Sequence, residues 1–290
     1  MGDVLAGFHA AWEFESDSVL IRYERGIRTP KLFQALGERR VPLEAIEGVT
    51  LTPGKRGTVV LRVEPRAGAD PLIEAAAGQL KESGDPYRLV LPAERETLAE
   101  YYADELRALL TESGKTERYL VAPPEAPLQF KAYDGKASFD GRAVSFRWSW
   151  TGASSAKWKA GDQNFPVSDL GGVEWRSPEM FEGYLRLLPR DADASAAAAP
   201  AAPQADQDPA AVVFGLGYGP VHESLPFAAA VLAAVRERAA VAPVPVAVPA
   251  PRRDPADIAE RIRHLGELHQ QGLVTDEEFS SKKAELLAQL

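Results

Sequence analysis

The residues best suited to bind a ligand lie in one stretch of the second half of the chain, where basic and aromatic side chains alternate. They are Arg142, Arg147, Trp148, Trp150, Lys157, Trp158 and Lys159. On an extended strand, Trp148 and Trp150 share one face and Arg147 points to the other. Because guanidinium and ammonium groups bind anions, this segment predicts a patch for an acidic lipid headgroup or an acidic protein surface. The alternative is that the tryptophans belong to the core and the cations to its solvated rim.

A glycine-rich run, Gly215-Leu216-Gly217-Tyr218-Gly219-Pro220, follows an apolar strand pattern and precedes a helical one. A dinucleotide-binding fingerprint requires its third glycine at position 220, which is proline here. The run has no lysine for a phosphate-binding loop, and no βαβ pattern surrounds it. We therefore expect a strand-to-helix turn, and a nucleotide-dependent enzyme is the least favoured function.

The sequence shows no arrangement of residues that is typical of a catalytic or metal-binding site. It has no cysteine and four histidines, of which His264 and His269 are too far apart to bind one ion from a helix. There is no Gly-x-Ser-x-Gly motif, and no pair of carboxylates has a spacing suited to acid–base catalysis. We expect no catalytic residues, no metal and no cofactor, and hence a protein that is not an enzyme.

The overall charge and hydropathy narrow the range of partners and locations. The formal net charge is −9, which argues against nucleic acid as a partner because such proteins usually carry a basic surface. No apolar run approaches the roughly 18 residues that span a bilayer, and the N-terminus lacks the features of a secretory signal. We expect a cytoplasmic protein.

The elements that position these residues are duplicated. Val41-Pro42-Leu43-Glu44-Ala45-Ile46 recurs about 124 positions later as Phe165-Pro166-Val167-Ser168-Asp169-Leu170, and Leu61-Arg62-Val63 recurs as Leu185-Arg186-Leu187. Each copy has five short strand patterns followed by one helix. The repeated proline block is expected to begin a strand, and a short helix is predicted over Pro71 to Leu80. This plan predicts an α+β, mainly β fold of two tandem barrels similar to pleckstrin-homology (PH) domains, each closed by its C-terminal helix. Two unrelated β-sandwiches are the alternative.

The composition predicts four segments. They are a first PH-like domain at 1–115, a second at 125–240 with a low-complexity insertion at 191–210, a proline/alanine-rich linker at 241–253 and a helical hairpin at 254–290. Two helices this short bury too little apolar surface to be stable alone, so the hairpin is expected to self-associate. Its apolar positions are Ile258, Ile262, Leu265, Leu268, Leu273, Phe279, Leu286 and Leu287.

The hairpin resembles the short C-terminal domain known as SHOCT. The resemblance rests on the apolar pair Leu265 and Leu268, the turn Gly272-Leu273-Val274-Thr275, the acidic pair before Phe279, and Lys282-Lys283. It implies oligomerisation or attachment to another protein. More loosely, the tandem halves resemble an uncharacterised family of GC-rich Gram-positive (actinobacterial-type) bacteria with PH-like halves.

The leading functional hypothesis is a non-catalytic scaffold or adaptor. Its PH-like modules would bind a protein, a peptide or an anionic headgroup, and residues 254–290 would form a homo-oligomer. A protein that binds anionic lipid at a membrane surface is the alternative.

Overall fold

The computed structural model describes residues 3–190 and 204–241, together with 266, 275, 276, 279, 280, 282 and 283. The chain divides into two compact units, 1–241 and 242–290. The first unit contains both repeats. The predicted linker lies outside the described residues except for Val241, and so do residues 191–203 of the predicted insertion.

The first repeat consists of two small antiparallel sheets and one closing helix. The first sheet has the order β1 (Asp3–Ala6), β2 (Ala10–Phe14), β3 (Ser18–Tyr23) and β4 (Glu38–Pro42); the second has β5 (Ile46–Pro53), β6 (Thr58–Pro65) and β7 (Arg88–Pro92). Helix α1 (Lys31–Leu36) precedes β4, α2 (Pro71–Ala76) precedes β7, and α3 (Glu96–Leu109) closes the repeat. Alternation of buried and exposed residues along the strands places one face of each sheet on a common core.

The second repeat has nearly the same element order. Its sheets are β8 (Leu128–Lys131), β9 (Gly135–Phe139), β10 (Ala143–Trp148) and β11 (Gln163–Pro166), then β12 (Leu170–Arg176), β13 (Tyr184–Pro189) and β14 (Ala211–Val213). Helix α4 (Ser155–Ala160) precedes β11, and α5 (Val221–Val241) closes the repeat. The prediction of a mainly β fold with two tandem repeats, each closed by a helix, is confirmed.

Sequence patterns predicted five strands per repeat, whereas the structure has seven. The four missed strands are β1, β4, β9 and β11, which are short and include charged or polar residues or glycine. The repeated proline block was expected to begin a strand. Instead Pro42 and Pro166 end β4 and β11, and each precedes a 3-10 turn. Helix α2 ends at Ala76, short of the predicted Leu80, because Ala77 and Gly78 adopt left-handed backbone conformations.

The two repeats are joined by a shared apolar core. Helix α5 is buried on nearly all sides as far as Val235, which fits its almost uniformly apolar sequence. One side of α5 packs on its own sheets, and α1 and α2 of the first repeat cover another, with Leu32 and Leu72 in the same core cluster. Among the described residues, helix α3 is covered on one side only, and Leu98 and Tyr101 are exposed.

A buried polar network fixes α2, the element that bridges the repeats. The Asp70 carboxylate caps the helix by accepting a hydrogen bond from the Leu72 amide at 2.9 Å. The same carboxylate pairs with Arg39 Nη2 at 2.7 Å and accepts a hydrogen bond from the Tyr87 hydroxyl at 2.5 Å. Because Arg39 lies in β4 and Tyr87 immediately precedes β7, the network ties α2 to both sheets of the first repeat.

Candidate functional site

A groove of about 660 Å³ opens where the two repeats meet within the first unit. On one side lie the start of α1 and the loop that precedes β7. On the other side lie the loop between β12 and β13 and the turn between β14 and α5. Because the groove is lined by segments of both repeats, it forms only when the two repeats pack against each other. Such a junction between modules is a common place for a binding site.

Large apolar side chains project from the loops at this groove. Leu216 is fully exposed, Phe181 is 83% exposed and Met180 is half exposed. Ile27 is also fully exposed, in the turn just before Pro30 and Lys31, which line the groove. Several exposed apolar residues around one concave surface mark an interaction site better than any one of them alone. Sequence reasoning missed this site because no periodic pattern marks residues in irregular loops.

The charged groups of the groove are mixed in sign. Lys81 forms an ion pair with Glu179 at 3.1 Å across the groove, linking the two repeats. Partial burial lowers the pKa of His222, and the positive charge of Lys31 lowers it further, against the opposing effect of Glu223. His222 is therefore predominantly neutral at physiological pH, and the groove has no strong net charge of its own.

The glycine-rich turn is held by hydrogen bonds within the protein. The amides of Gly215 and Tyr218 donate to each other's carbonyl oxygens, and the Gly219 amide donates to the Lys131 carbonyl at 2.7 Å. Gly219 has φ of 62°, and a Cβ there would lie 2.2 Å from the Phe214 ring. The glycine thus permits close backbone packing, and three amides that could otherwise face a phosphate already have acceptors.

The predicted basic and aromatic patch is only partly on the surface. Lys157 was predicted to face an anionic ligand, and this is wrong: its side chain is fully buried, and Nζ lies 2.5 Å from the Asp134 carboxylate. Trp148 is also buried, and its indole nitrogen donates to the Gly161 carbonyl at 2.7 Å. Strand β10 ends at Trp148, so Trp150 lies beyond it in a turn and does not continue the buried face.

The other members of the patch remain accessible. Arg142, Arg147 and Lys159 are exposed, and Trp150 and Trp158 form an exposed edge-to-face pair with ring centroids 5.5 Å apart. Three cations and two tryptophans of the predicted anionic-ligand patch therefore remain available to a ligand.

Most of the predicted hairpin positions, namely Ile258, Ile262, Leu265, Leu268, Leu273, Leu286 and Leu287, lie outside the described residues. Of the predicted apolar set, Phe279 is described: it is helical, half-buried, and its amide donates to the Thr275 carbonyl at 2.9 Å. Lys283 lies over its ring at 5.6 Å. Thr275 directly precedes the helical residue Asp276, the place of a capping residue.

Neither a metal site nor a membrane span is visible in the part of the chain that the structure describes. No group of three or more histidine or carboxylate side chains there is arranged to bind a metal ion. No described helix has both the length and the apolar character required to cross a membrane.

The fold and its surfaces define a class of protein: a pair of fused, mainly β repeats with a loop-built groove, followed by a short C-terminal segment. The chain belongs to the family described as domain of unknown function DUF4429, which matches residues 12–107 and 137–232. Residues 260–287 match the short C-terminal domain SHOCT. A search of curated proteins found none that matches the chain.

Proposed function

We propose that the protein is a non-catalytic adaptor whose PH-like repeats bind an apolar segment of a partner protein in the groove between them. The observation that carries this proposal is the groove itself, bordered by the exposed side chains of Phe181, Met180 and Leu216. Burying such side chains contributes roughly 1.5–3 kcal/mol each, which is enough to anchor a peptide of a few residues.

The arrangement of polar groups supports binding rather than catalysis. The groove pairs Lys81 with Glu179, and three amides of the glycine-rich turn already have carbonyl acceptors, so these groups do not supply the unpaired, preorganised donors that stabilise a developing charge. A protein of this kind gains affinity by multiplying weak sites. The C-terminal segment serves that purpose if it joins several chains.

Phe279→Asp is expected to lower the number of chains per particle. The substitution places a charge on a half-buried helical position of a segment too short to be stable alone. Light-scattering mass measurement of the full chain and the variant tests this expectation. Ser280→Asp, at the exposed neighbouring position, is the matched control and should leave the mass unchanged. Equal masses for wild type and Phe279→Asp would remove the assembly role of this segment.

Phe181→Asp is expected to abolish peptide binding in the groove without loss of stability, because Phe181 is mostly exposed in the free protein. Peptides selected from a random library on the wild-type chain should lose binding to Phe181→Asp. They should keep it with Leu98→Asp, which changes an exposed leucine on α3. If library selection enriches no peptide that depends on Phe181, the peptide-binding proposal fails.

A membrane-surface protein is the second candidate, because fully exposed Ile27 and Leu216 lie on loops next to the exposed cations Arg25, Arg28 and Lys31. Apolar tips beside basic residues are typical of surfaces that enter the headgroup region of acidic bilayers. Co-sedimentation with phosphatidylserine vesicles, lost in Ile27→Asp and Leu216→Asp but kept in Leu98→Asp, would favour this function over peptide binding.

A further inference from the structure

Three cations stand side by side on the outer face of the second repeat. Lys131 of β8 pairs directly with Lys136 of β9, and Lys136 pairs directly with Arg147 of β10. All three are exposed, and neighbouring strands lie about 4.8 Å apart, so the row spans roughly 10 Å. We call these three residues the basic row.

The basic row is electrostatically unfavourable by itself. Like charges directly opposite each other on neighbouring strands destabilise a sheet. Within residues 3–190 and 204–241, none of the three cations forms an ion pair that would relieve the repulsion. An anionic surface placed against the row would therefore gain both direct attraction and relief of this repulsion.

The first repeat provides an internal comparison at the same place in the sheet. Its corresponding row is Ala6, Ala11 and Arg22, paired in the same register. Here the single cation is neutralised, since Arg22 pairs with Glu13 on the neighbouring strand and lies 3.9 Å from Glu38. The fold therefore does not require cations at these positions, and the basic row is particular to the second repeat.

The matching anionic surface lies on α3 of the first repeat. Glu96, Glu100 and Asp104 are exposed and spaced four residues apart, so they occupy one side of the helix over about 12 Å. Asp104 pairs with Arg107 at 2.7 Å, while Glu96 and Glu100 have no ion pair in the part of the chain that the structure describes. Two of the three carboxylates are therefore unpaired there, and the set extends over a length similar to that of the basic row.

The second repeat shows that other helices of the protein can pack on the outer side of a closing helix. The equivalent helix of the second repeat, α5, is covered on its outer side by α1 and α2 of the first repeat. Within residues 3–190 and 204–241, no element covers the outer side of α3, where Leu98 and Tyr101 are exposed. A second copy of the chain supplies a surface of the complementary charge.

We infer that the basic row of one copy docks on helix α3 of another. The contact joins two different surfaces, so repetition gives a ring or an open chain of copies. On one side the row is flanked by the polar residues Gln129, Ser138 and Ser145, and Trp150, three residues after Arg147, is exposed. The complementary carboxylates of α3 favour a protein helix as the occupant. The inference adds a second contact to the proposed assembly and does not depend on the C-terminal segment.

Cross-linking of the full chain tests the contact directly, because the chain contains no cysteine. Thr97→Cys places a thiol on exposed α3, and Ser138→Cys places one beside Lys136 on the sheet; neither removes a charge. With a short bis-maleimide, the 1:1 mixture should cross-link several-fold more than either variant alone. Lys55→Cys, in an exposed turn of the first repeat, replaces Ser138→Cys as the control and should give only the background yield.

Charge reversal then decides whether the basic row is responsible. Adding Lys136→Glu to the Ser138→Cys chain should reduce the mixed cross-link to background, and adding Glu100→Lys to the Thr97→Cys chain should do the same. The two reversed chains mixed together should regain the cross-link, a result that misfolding cannot produce. A mixed yield no higher than the Lys55→Cys control, or failure of the double reversal to restore it, overturns the inference. So does loss of phosphatidylserine-vesicle binding in Lys136→Glu with the cross-link unchanged. All arms keep Phe279, so failure here is distinguishable from failure of assembly through the C-terminal segment.

Discussion

Asp70→Ala is expected to destabilise the first unit by about 3–5 kcal/mol, because it removes one partner of a buried ion pair and leaves the other charged. The side chains of Asp70 and Arg39 are almost completely buried. Burial opposes the charged form of Arg39, but Asp70 and Tyr87 outweigh it and hold the arginine pKa above its usual range. Because a guanidinium group stays protonated in proteins even without a partner, Asp70→Ala leaves a buried cation without its carboxylate. The Tyr87 hydroxyl and the Leu72 amide also lose their acceptor.

Urea unfolding followed by circular dichroism measures this loss. Glu64→Ala is the matched control, since Glu64 pairs with Arg62 at 3.0 Å but both side chains are nearly half exposed. Exposed pairs contribute about 0–1 kcal/mol. If Asp70→Ala proves no more destabilising than Glu64→Ala, the network does not hold α2 against the sheets. The shared core of the repeats would then need another explanation.

The duplication was the part of the fold that sequence could predict, because the Val41 and Phe165 blocks recur in order at a nearly constant offset. Periodicity located the central strands, such as β6 and β13. It failed for β4, where Arg39 and Arg40 make a strand look like a loop. Arg39 is buried because Asp70, far away in sequence, neutralises it. No local pattern encodes that pairing.

The candidate sites show the same limit. Composition found cations and tryptophans between Arg142 and Lys159 but could not separate buried Lys157 from exposed Lys159, two residues further along α4. The basic row escaped notice for a related reason. Lys131, Lys136 and Arg147 become neighbours only through the register of three strands, and a single sequence does not state that register.

Lys157→Met is the second substitution with a large expected effect, about 3–5 kcal/mol of destabilisation at neutral pH. It leaves the buried Asp134 carboxylate without its cation. It also removes the donor that Lys157 Nζ provides to the carbonyl oxygens of Ala205 at 2.8 Å and Ala211 at 2.9 Å. Lys159→Met, at an exposed position of the same helix, is the matched control and should change stability little.

The pH dependence of this variant identifies its cause. Burial raises the pKa of Asp134, and Lys157 lowers it; burial prevails in the wild-type protein. Removing the lysine raises that pKa further. A carboxyl group whose pKa is higher in the folded than in the unfolded protein stabilises the fold at pH values below the unfolded-state pKa. This stabilisation is lost as the pH rises through the pKa of the folded state. The stability difference between Lys157→Met and wild type should therefore shrink as the pH falls below neutral, as measured by urea unfolding over a pH series.

Adding Asp134→Asn to Lys157→Met should recover part of the lost stability at neutral pH, since the amide oxygen still accepts the Val213 amide at 3.0 Å without a buried charge. A stability difference that does not change with pH, or no recovery in the double variant, would show that lost packing rather than an unpaired carboxylate causes the destabilisation.

The first repeat shows that an apolar side chain can occupy the position equivalent to Lys157. Phe33 lies there, 124 residues earlier, and its ring stacks on that of Tyr23 with the centroids 4.9 Å apart. The second repeat instead has a cation whose hydrogen bonds hold the backbone at Ala205 and Ala211, where the chain enters β14. Lys157 therefore fixes the path of the last strand, which leads directly into the glycine-rich turn and the groove.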